Sequence, residues 1–331
     1  PDGSRERGSF RIFFRLLLFT FRWIFWKIPV KLKYNAVFVC FGTESAQTND
    51  IRYKREERIS QMLKIKNYVK VKSIAEAYEL NQKKSACVLG GMIWLKMGNR
   101  NVSTAIDLSG LGLDTVQERE DEFYIGCMTS LRDLETNAAL NEFTQGAVRE
   151  SLRHIVGVQF RNCATVGGSI FGRYGFSDVL TMFLALDTWV ELYHAGRIPL
   201  AEFAQMKKDR DILEAVIVKK TPQQSVYLSQ RNTETDFPVL TCAVSLCGGR
   251  ARTVIGARPG RAKIVEDPEG ILNGFEKMSE TERTGAVQKF AEYAAEHMVF
   301  GSNMRASEEY RKLLAEVLVR RAWETLGGMK R

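Results

Sequence analysis

Two glycine pairs, each set at the end of an apolar segment, constrain this chain more than any other feature. One lies in Arg161-Asn162-Cys163-Ala164-Thr165-Val166-Gly167-Gly168-Ser169-Ile170, followed by Ser177-Asp178 and an apolar run to Leu186. The other, Gly90-Gly91, closes Ala86-Cys87-Val88-Leu89. A glycine pair tolerates positive φ and carries no side chain, so neighbouring amides can converge on one anion. Thr165 and Ser169 add hydroxyls, Lys96 and Arg161 add positive charge, and Asp178 adds a carboxylate suited to sugar hydroxyls. Two such loops fit a dinucleotide held between two lobes. Each part also has an ordinary structural use. Gly-Gly serves tight turns and close strand crossings, Thr165 and Ser169 can bond local backbone, and Asp178 favours a helix start. Gly90-Gly91 is neither a GxGxxG fingerprint nor a P-loop, because no Gly-Lys-Ser/Thr follows, so an ordinary Rossmann site is not supported.

At 331 residues the chain can hold two or three domains. Its formal charge of +9 is concentrated at one end. Residues 1–61 hold 12 Lys and Arg against 6 Asp and Glu, whereas residues 62–331 hold 36 against 33. The body has no basic stripe with interleaved aromatics, which argues against a nucleic-acid partner. The six cysteines (Cys40, Cys87, Cys127, Cys163, Cys242 and Cys247) show no CxxC spacing, and His154, His194 and His297 are scattered. Neither a metal site nor an iron–sulfur ligand set is expected, and reduced thiols fit a cytoplasmic protein.

Residues 10–41 are aromatic and basic, with Phe13, Phe14, Trp23 and Trp26 broken by Arg15, Arg22 and Lys27. The longest uncharged runs there, Leu16–Phe21 and Tyr34–Thr43, fall short of the roughly 20 residues that a spanning helix needs. No membrane span and no secretory signal are expected, although an interfacial helix would fit. The first methionine is Met62, a domain-like pattern starts directly after it, and Lys54-Arg55-Glu56-Glu57 can be encoded by purine-rich codons. The expectation is that residues 1–61 are upstream sequence outside the natural fold.

From Met62 onward, strands are expected at Tyr68–Val71, Ala86–Leu89, Ala105–Leu108, Phe123–Gly126 and Trp189–Leu192. Ser73 should cap one helix and Thr129 another starting at Ser130; further helices are expected over Glu142–Ile155 and from Ser177. Residues 215–218, 225–228, 240–246 and 252–255 read as one antiparallel sheet, with Gly248-Gly249 as a hairpin turn. Helices over 280–298 and 307–326 complete the chain. The expected fold class is α+β: a two-lobed module over 62–237, then a small antiparallel sheet with helices over 238–331.

The order of these residues resembles the FAD-binding medium subunits of the molybdenum hydroxylases, the xanthine dehydrogenase and carbon monoxide dehydrogenase flavoprotein family with its PCMH-type FAD-binding domain. Arg161 to Asp187 follows that family's R-N-x-A-T-[IV]-G-G-N signature, then S-D, a leucine-rich helix and an x-V-x-L strand. Val88-Leu89-Gly90-Gly91 with Leu95-Lys96 resembles its first FAD loop, and Cys127-Met128-Thr129-Ser130-Leu131 its G-A-x-T-x-L stretch. Asp236-Phe237-Pro238-Val239 resembles the start of its C-terminal domain, and Arg305-Ala306-Ser307-Glu308-Glu309-Tyr310-Arg311 a late helix start. The chain departs at Met92-Ile93, where the family has Thr-Asp, at Ser169 in place of Asn, and at Arg173-Tyr174-Gly175 in place of small residues and proline. A lysine found on a later strand in some members has no counterpart; Leu228 and Arg231 lie in that region.

The resemblance implies FAD as cofactor, bound by Cys87, Val88, Leu89, Gly90, Gly91, Met92, Ile93, Trp94, Thr129, Thr165, Val166, Gly167, Gly168, Ser169 and Asp178. Gly90, Gly91, Gly167 and Gly168 would present amides to the pyrophosphate. Thr165 and Ser169 would add hydroxyls, and Asp178 would accept from ribityl or ribose hydroxyls. No catalytic residue is implied, since the flavin carries the redox chemistry. A molybdenum-cofactor large subunit and a 2Fe-2S small subunit would be partners, with NAD or another molecule as electron acceptor. Alternatives are a non-catalytic assembly subunit of the same fold, a free-standing FAD-dependent oxidoreductase, and a membrane-surface protein anchored by residues 10–30.

Overall fold

The computed structural model describes residues 62–329; the expectations for residues 1–61 lie outside the described residues. The first lobe is a three-stranded parallel sheet of β1 (Lys64–Lys70), β2 (Ala86–Leu89) and β3 (Asn101–Asp107), in the order β1-β3-β2. Helix α1 (Ile74–Asn81) joins β1 to β2. Ser73 caps it, accepting from Glu76 N–H, and Ala77 is fully buried.

The second lobe is an antiparallel five-stranded sheet in the order β4-β5-β8-β6-β7. Its strands are β4 (Val116–Glu118), β5 (Glu122–Gly126), β6 (Thr188–Leu192), β7 (Gly196–Pro199) and β8 (Leu213–Lys219). Between β5 and β6 run α2 (Leu131–Thr136), α3 (Ala138–Phe143), α4 (Ala147–Arg153), α5 (Val158–Cys163), α6 (Val166–Gly172) and α7 (Asp178–Ala185). A short α8 (Leu200–Gln205) links β7 to β8. The cap of α2 is Ser130, which accepts from Asp133 N–H. Thr129 instead donates to the carbonyl of Thr115, so the expected cap is displaced by one residue. The expected helix over Glu142–Ile155 is broken into α3 and α4, because Gln145 and Gly146 both take positive φ.

The third sheet is antiparallel, in the order β12-β11-β10-β9: β9 (Gln223–Arg231), β10 (Pro238–Cys247), β11 (Arg250–Gly256) and β12 (Lys263–Ile264). Gly248 and Gly249 form the β10–β11 turn with φ of 57° and 74°. Residues 215–218 do not join this sheet. They belong to β8, which pairs with β5 and β6. The boundary expected at 237/238 falls inside the sheet, between the paired strands β9 and β10.

Two long helices, α9 (Glu280–His297) and α10 (Glu308–Leu326), cover the third sheet. Ser279 and Glu282 close α9 with a capping box, and Ser307 caps α10. Trp323 is buried against Phe275 and donates from Nε1 to Thr253 Oγ1 at 2.9 Å. Helix α7 joins the second lobe to this sheet. All eight of its residues are buried, and Thr181 Oγ1 meets Thr241 Oγ1 at 3.0 Å. Arg252 Nη1 donates to the carbonyl of Leu186 at 2.6 Å.

Arg311 explains the late helix start singled out in the sequence. It is fully buried and donates to the carbonyls of Val239, Gly301 and Ala306 at 2.9, 2.7 and 2.7 Å, and to Asn303 Oδ1 at 2.7 Å. One side chain thus ties the loop before α10 to β10. Replacing it by Met removes four hydrogen bonds, although Ala306 O keeps the Asn303 N–H and Asn303 Oδ1 the Arg305 N–H. Arg311→Met is expected to lower stability by about 3 kcal/mol or more, measured as a shift in urea midpoint at unchanged slope.

Candidate cofactor site

The two glycine pairs meet. A Cβ added at Gly90 would lie 2.9 Å from Thr165 Oγ1 and 3.7 Å from Gly168 Cα. At Gly91 it would lie 1.9 Å from the Cys163 carbonyl oxygen, and at Gly167 2.5 Å from that of Cys127. No side chain fits at those distances, so these positions are glycine because two backbones approach there. The loop after β2 packs directly on the α5–α6 junction.

The two loops differ in what their amides do. Every amide in the first turn of α6 has an acceptor within the chain. Val166 N–H donates to Thr129 O at 3.0 Å and Gly167 N–H to Cys127 O at 2.9 Å. Gly168 N–H donates to Thr165 Oγ1 at 3.1 Å, and Ser169 N–H to Thr165 O at 3.1 Å. By contrast, the amides of Gly90, Gly91, Met92, Ile93 and Trp94 have no acceptor among the described residues. Half-buried amides rarely stay unpaired, so a run of five calls for a partner from outside the chain. Met92 sits in the left-handed region at φ 58°. A single left-handed residue among right-handed ones is the backbone pattern that lets neighbouring N–H groups share one concavity. The first loop is the donor row, and the second fastens the lobes.

These loops border a cavity of about 680 Å³. Cys87, Val88, Leu89, Gly90, Gly91, Met92, Ile93, Trp94, Thr165, Gly167, Gly168, Ser169 and Asp178 all line it. Thr129 and Val166 do not: Thr129 bonds Thr115, and Val166 is buried in the core. Arg161 is not available to a phosphate, because it is buried and its Nε donates to Glu135 Oε2 at 2.7 Å. Lys96 is exposed and does not line the cavity. Ser169 Oγ donates to Thr165 O at 3.0 Å, which leaves its lone pairs open to a donor.

Asp178 is the first residue of α7, held there by the Ser177 cap, which accepts from Leu180 N–H at 3.0 Å. It is 5% exposed. Tyr227 Oη donates to its Oδ1 at 2.6 Å, and Arg231 Nη2 donates to the same oxygen. Among the described residues no side-chain donor goes to Oδ2. Burial pushes this carboxyl up to about 6, against the pull of Arg231 and Tyr227. Asp178 is therefore a charged acceptor at neutral pH. Arg231, noted in the sequence only for its position, is its counter-ion from β9. Sequence reasoning also missed the aromatic wall. Trp94 lies 5.5 Å from Phe176 and 5.4 Å from Phe237, and Phe176 meets Phe237 at 4.6 Å. Phe176 and Phe237 stood in the segments that carried the resemblance, so their adjacency to Asp178 and Asp236 was the available signal. The donor row, hydroxyls, carboxylate and aromatic wall suit a ligand that combines a pyrophosphate, polyol hydroxyls and a flat ring.

A family model described as the FAD binding domain in molybdopterin dehydrogenase matches residues 61–221. A second, the CO dehydrogenase flavoprotein C-terminal domain, matches residues 225–326. The nicotine 6-hydroxylase medium subunit of Paenarthrobacter nicotinovorans is 24% identical over 273 residues, covering 77% of this chain and 94% of that protein. The uncharacterized protein YgfM of Escherichia coli K12 is 22% identical over 264 residues, with the same coverage of 77% and 94%. Among solved structures, the carbon monoxide dehydrogenase from Hydrogenophaga pseudoflava matches with a TM-score of 0.70 at 22% identity, over 79% of this chain and 97% of that one. Quinoline 2-oxidoreductase from Pseudomonas putida 86 matches with a TM-score of 0.66 at 17% identity, over 80% and 97%.

The geometry makes two predictions. Gly91→Ala drives a methyl into the Cys163 carbonyl and is expected to cost about 3 kcal/mol or to part the two loops; thermal melts and bound-cofactor content report either outcome. Asp178 titrates near 6 in the folded chain against an ordinary 3.8, so the folded state holds the extra proton between those values. Its contribution to stability is then present at low pH and lost as pH rises from about 4 to about 6. The stability of the parent chain relative to Asp178→Asn should fall over that window and level off above it, as read from paired melts.

Proposed function

This chain belongs to the FAD-binding medium-subunit (flavoprotein) family of the molybdenum hydroxylases, and on that premise we propose that it is the electron-transfer subunit of such a complex. The observation that carries the reading is the row of five unpaired amides, Gly90 to Trp94, on a cavity that also presents Asp178. These amides would hold the FAD pyrophosphate. The lone pairs of Ser169 Oγ would accept from a ligand hydroxyl beside them, and Thr165 would fix the loop through Gly168. Asp178 Oδ2 would accept from a ribityl or ribose hydroxyl, with Arg231 and Tyr227 keeping the carboxylate charged and fixed. Trp94, Phe176 and Phe237 would exclude water from the flat end of the ligand.

Bound there, FAD supplies exchange between the single electrons of a partner's 2Fe-2S clusters and an electron pair leaving to NAD or another acceptor. The chain's own residues bind and orient; none needs to act as acid, base or nucleophile. Substrate oxidation would lie on a molybdenum-cofactor large subunit, with the iron–sulfur clusters on a small one. No helix among the described residues is long and apolar enough to cross a membrane, and a cytoplasmic complex is the setting we propose. The purified full chain, reconstituted with FAD, should show the visible bands of oxidised flavin after gel filtration. A colourless protein after reconstitution would replace this reading with that of an FAD-free assembly subunit.

A further inference from the structure

Arg173 is the residue whose chemistry the fold leaves open. It is 3% exposed, and none of its side-chain nitrogens, Nε, Nη1 or Nη2, has a hydrogen-bond partner among the described residues. Its backbone closes α6 in the left-handed region at φ 46°, which a long side chain rarely adopts. The guanidinium lies 3.8 Å from the centre of the Phe203 ring and 5.5 Å from that of Phe171. Those rings satisfy its face and not its five N–H donors.

Two more cations lie near enough to act on it. Arg261 Nη1 donates to the carbonyl of Ala204, the residue after Phe203, at 3.0 Å. Lys208 Nζ lies 5.5 Å from the centre of the Tyr174 ring. Burial first, then Arg261, push the Arg173 guanidinium down, with Asp209 opposing. Partial desolvation first, then Arg173 and Arg261, push Lys208 down as well, although the residue reaches solvent. A buried cation with no hydrogen-bonded counter-ion is costly for a fold to keep, and like-charged neighbours raise that cost; Asp209 opposes it without bonding the guanidinium. An anion from outside the chain would complete the arrangement. Phe171, Gly172, Tyr174, Lys208 and Asp209 line the cofactor cavity, and Arg173 and Arg261 lie behind that lining, so Lys208 is the cation of the cluster that faces the cavity.

We propose that Lys208 on the cavity wall, backed by Arg173 and Arg261, forms a second anion subsite at the rim of the cofactor cavity, which takes a phosphate group. A guanidinium fork matches phosphate oxygens, and Lys208 adds a mobile point charge. The Gly90–Trp94 amides already serve one pyrophosphate, so a second phosphate site fits a nucleotide acceptor docking beside the flavin. That choice of occupant rests on the proposed function, whereas the subsite itself does not. The other source of the same chemistry is a phosphate of FAD.

The test is calorimetric titration of ADP into the FAD-saturated full chain, with FAD affinity measured in parallel, for the parent, Lys208→Gln and Arg173→Met. Lys208 is exposed, so its replacement does not threaten the fold. The expected result is ADP binding that both variants weaken about tenfold or more, with FAD affinity unchanged. If the saturated protein takes no ADP and both variants weaken FAD by a similar factor, the subsite stands and its phosphate is that of FAD. If neither affinity moves in either variant, the proposal is overturned, and a lower melting temperature for Arg173→Met would then make Arg173 a structural cation. Should the chain hold no FAD at all, the proposed function fails separately. ADP binding to the apoprotein, and its sensitivity to Lys208→Gln, still decides the subsite.

Discussion

The close approach of Gly91 to the Cys163 carbonyl sets the geometry on which the rest depends. An added Cβ there would sit 1.9 Å from that oxygen, inside any tolerable contact. The parallel and antiparallel lobes therefore meet backbone to backbone, and the cavity is what remains beside the contact. Neither lobe makes the site alone. In the first lobe, β2 ends in a loop whose amides from Gly90 to Trp94 have no acceptor among the described residues, and the second lobe supplies the surface that holds this loop in place. Because the α6 amides bond Thr129, Cys127 and Thr165, that surface is internally saturated and rigid. Binding and fastening are divided between two glycine pairs that look equivalent in sequence.

A second dependence runs through α7. Its wholly buried body packs against β10 and β11, and its first residue, Asp178, is paired with Arg231 and Tyr227 on β9. A carboxyl so buried would turn neutral at physiological pH without its counter-ion. Arg231 and Tyr227 hold it near 6, low enough to stay charged. Buried ion pairs add little net stability, because desolvation offsets the attraction. Here the pair fixes a charged acceptor at the cavity and joins the second lobe to the third sheet. The polar end of the site is thus built from both parts of the chain, which explains how a binding module and a C-terminal sheet come to share one cavity.

Local chemistry was legible in the sequence wherever a residue acts within its own turn. Ser73, Ser279 and Ser307 cap the helices that they precede, and Gly248-Gly249 turns the β10–β11 hairpin. Reading failed where a distant partner decides the outcome. Thr129 is drawn to Thr115 rather than to a helix end, and Arg161 to Glu135 rather than to a phosphate. β8 has the apolar pattern of a C-terminal strand yet pairs with β5 and β6, since alternation reveals a buried face and not a neighbour. The break between α3 and α4 hinges on the left-handed Gln145, a conformation that composition does not mark. Thirteen of the fifteen expected site residues line the cavity, but which amides are free could be known only from the acceptors of each.

The departures from the family pattern become intelligible on the same terms. Met92-Ile93 stands where Thr-Asp is usual, which would matter if side chains held the ligand there. The Met92 side chain instead packs against the small core of Leu89, Val102 and Ala105 beneath the first sheet, while its amide stays unpaired. A donor row made of backbone tolerates such replacement, because what it presents does not depend on the side chain. Strain at φ 58° is the cost of turning the row, and strained positions of this kind collect where ligands are bound. Arg173-Tyr174 is a departure of the opposite sort. It adds aromatic surface at Tyr174 to the cavity wall and a buried guanidinium at Arg173 behind it, where the family has small residues. Substitution at Met92-Ile93 leaves the donor row as it was, whereas substitution at Arg173-Tyr174 changes what the cavity can admit. The selectivity of this chain should therefore differ from that of its relatives at the rim and not at the Gly90–Trp94 loop.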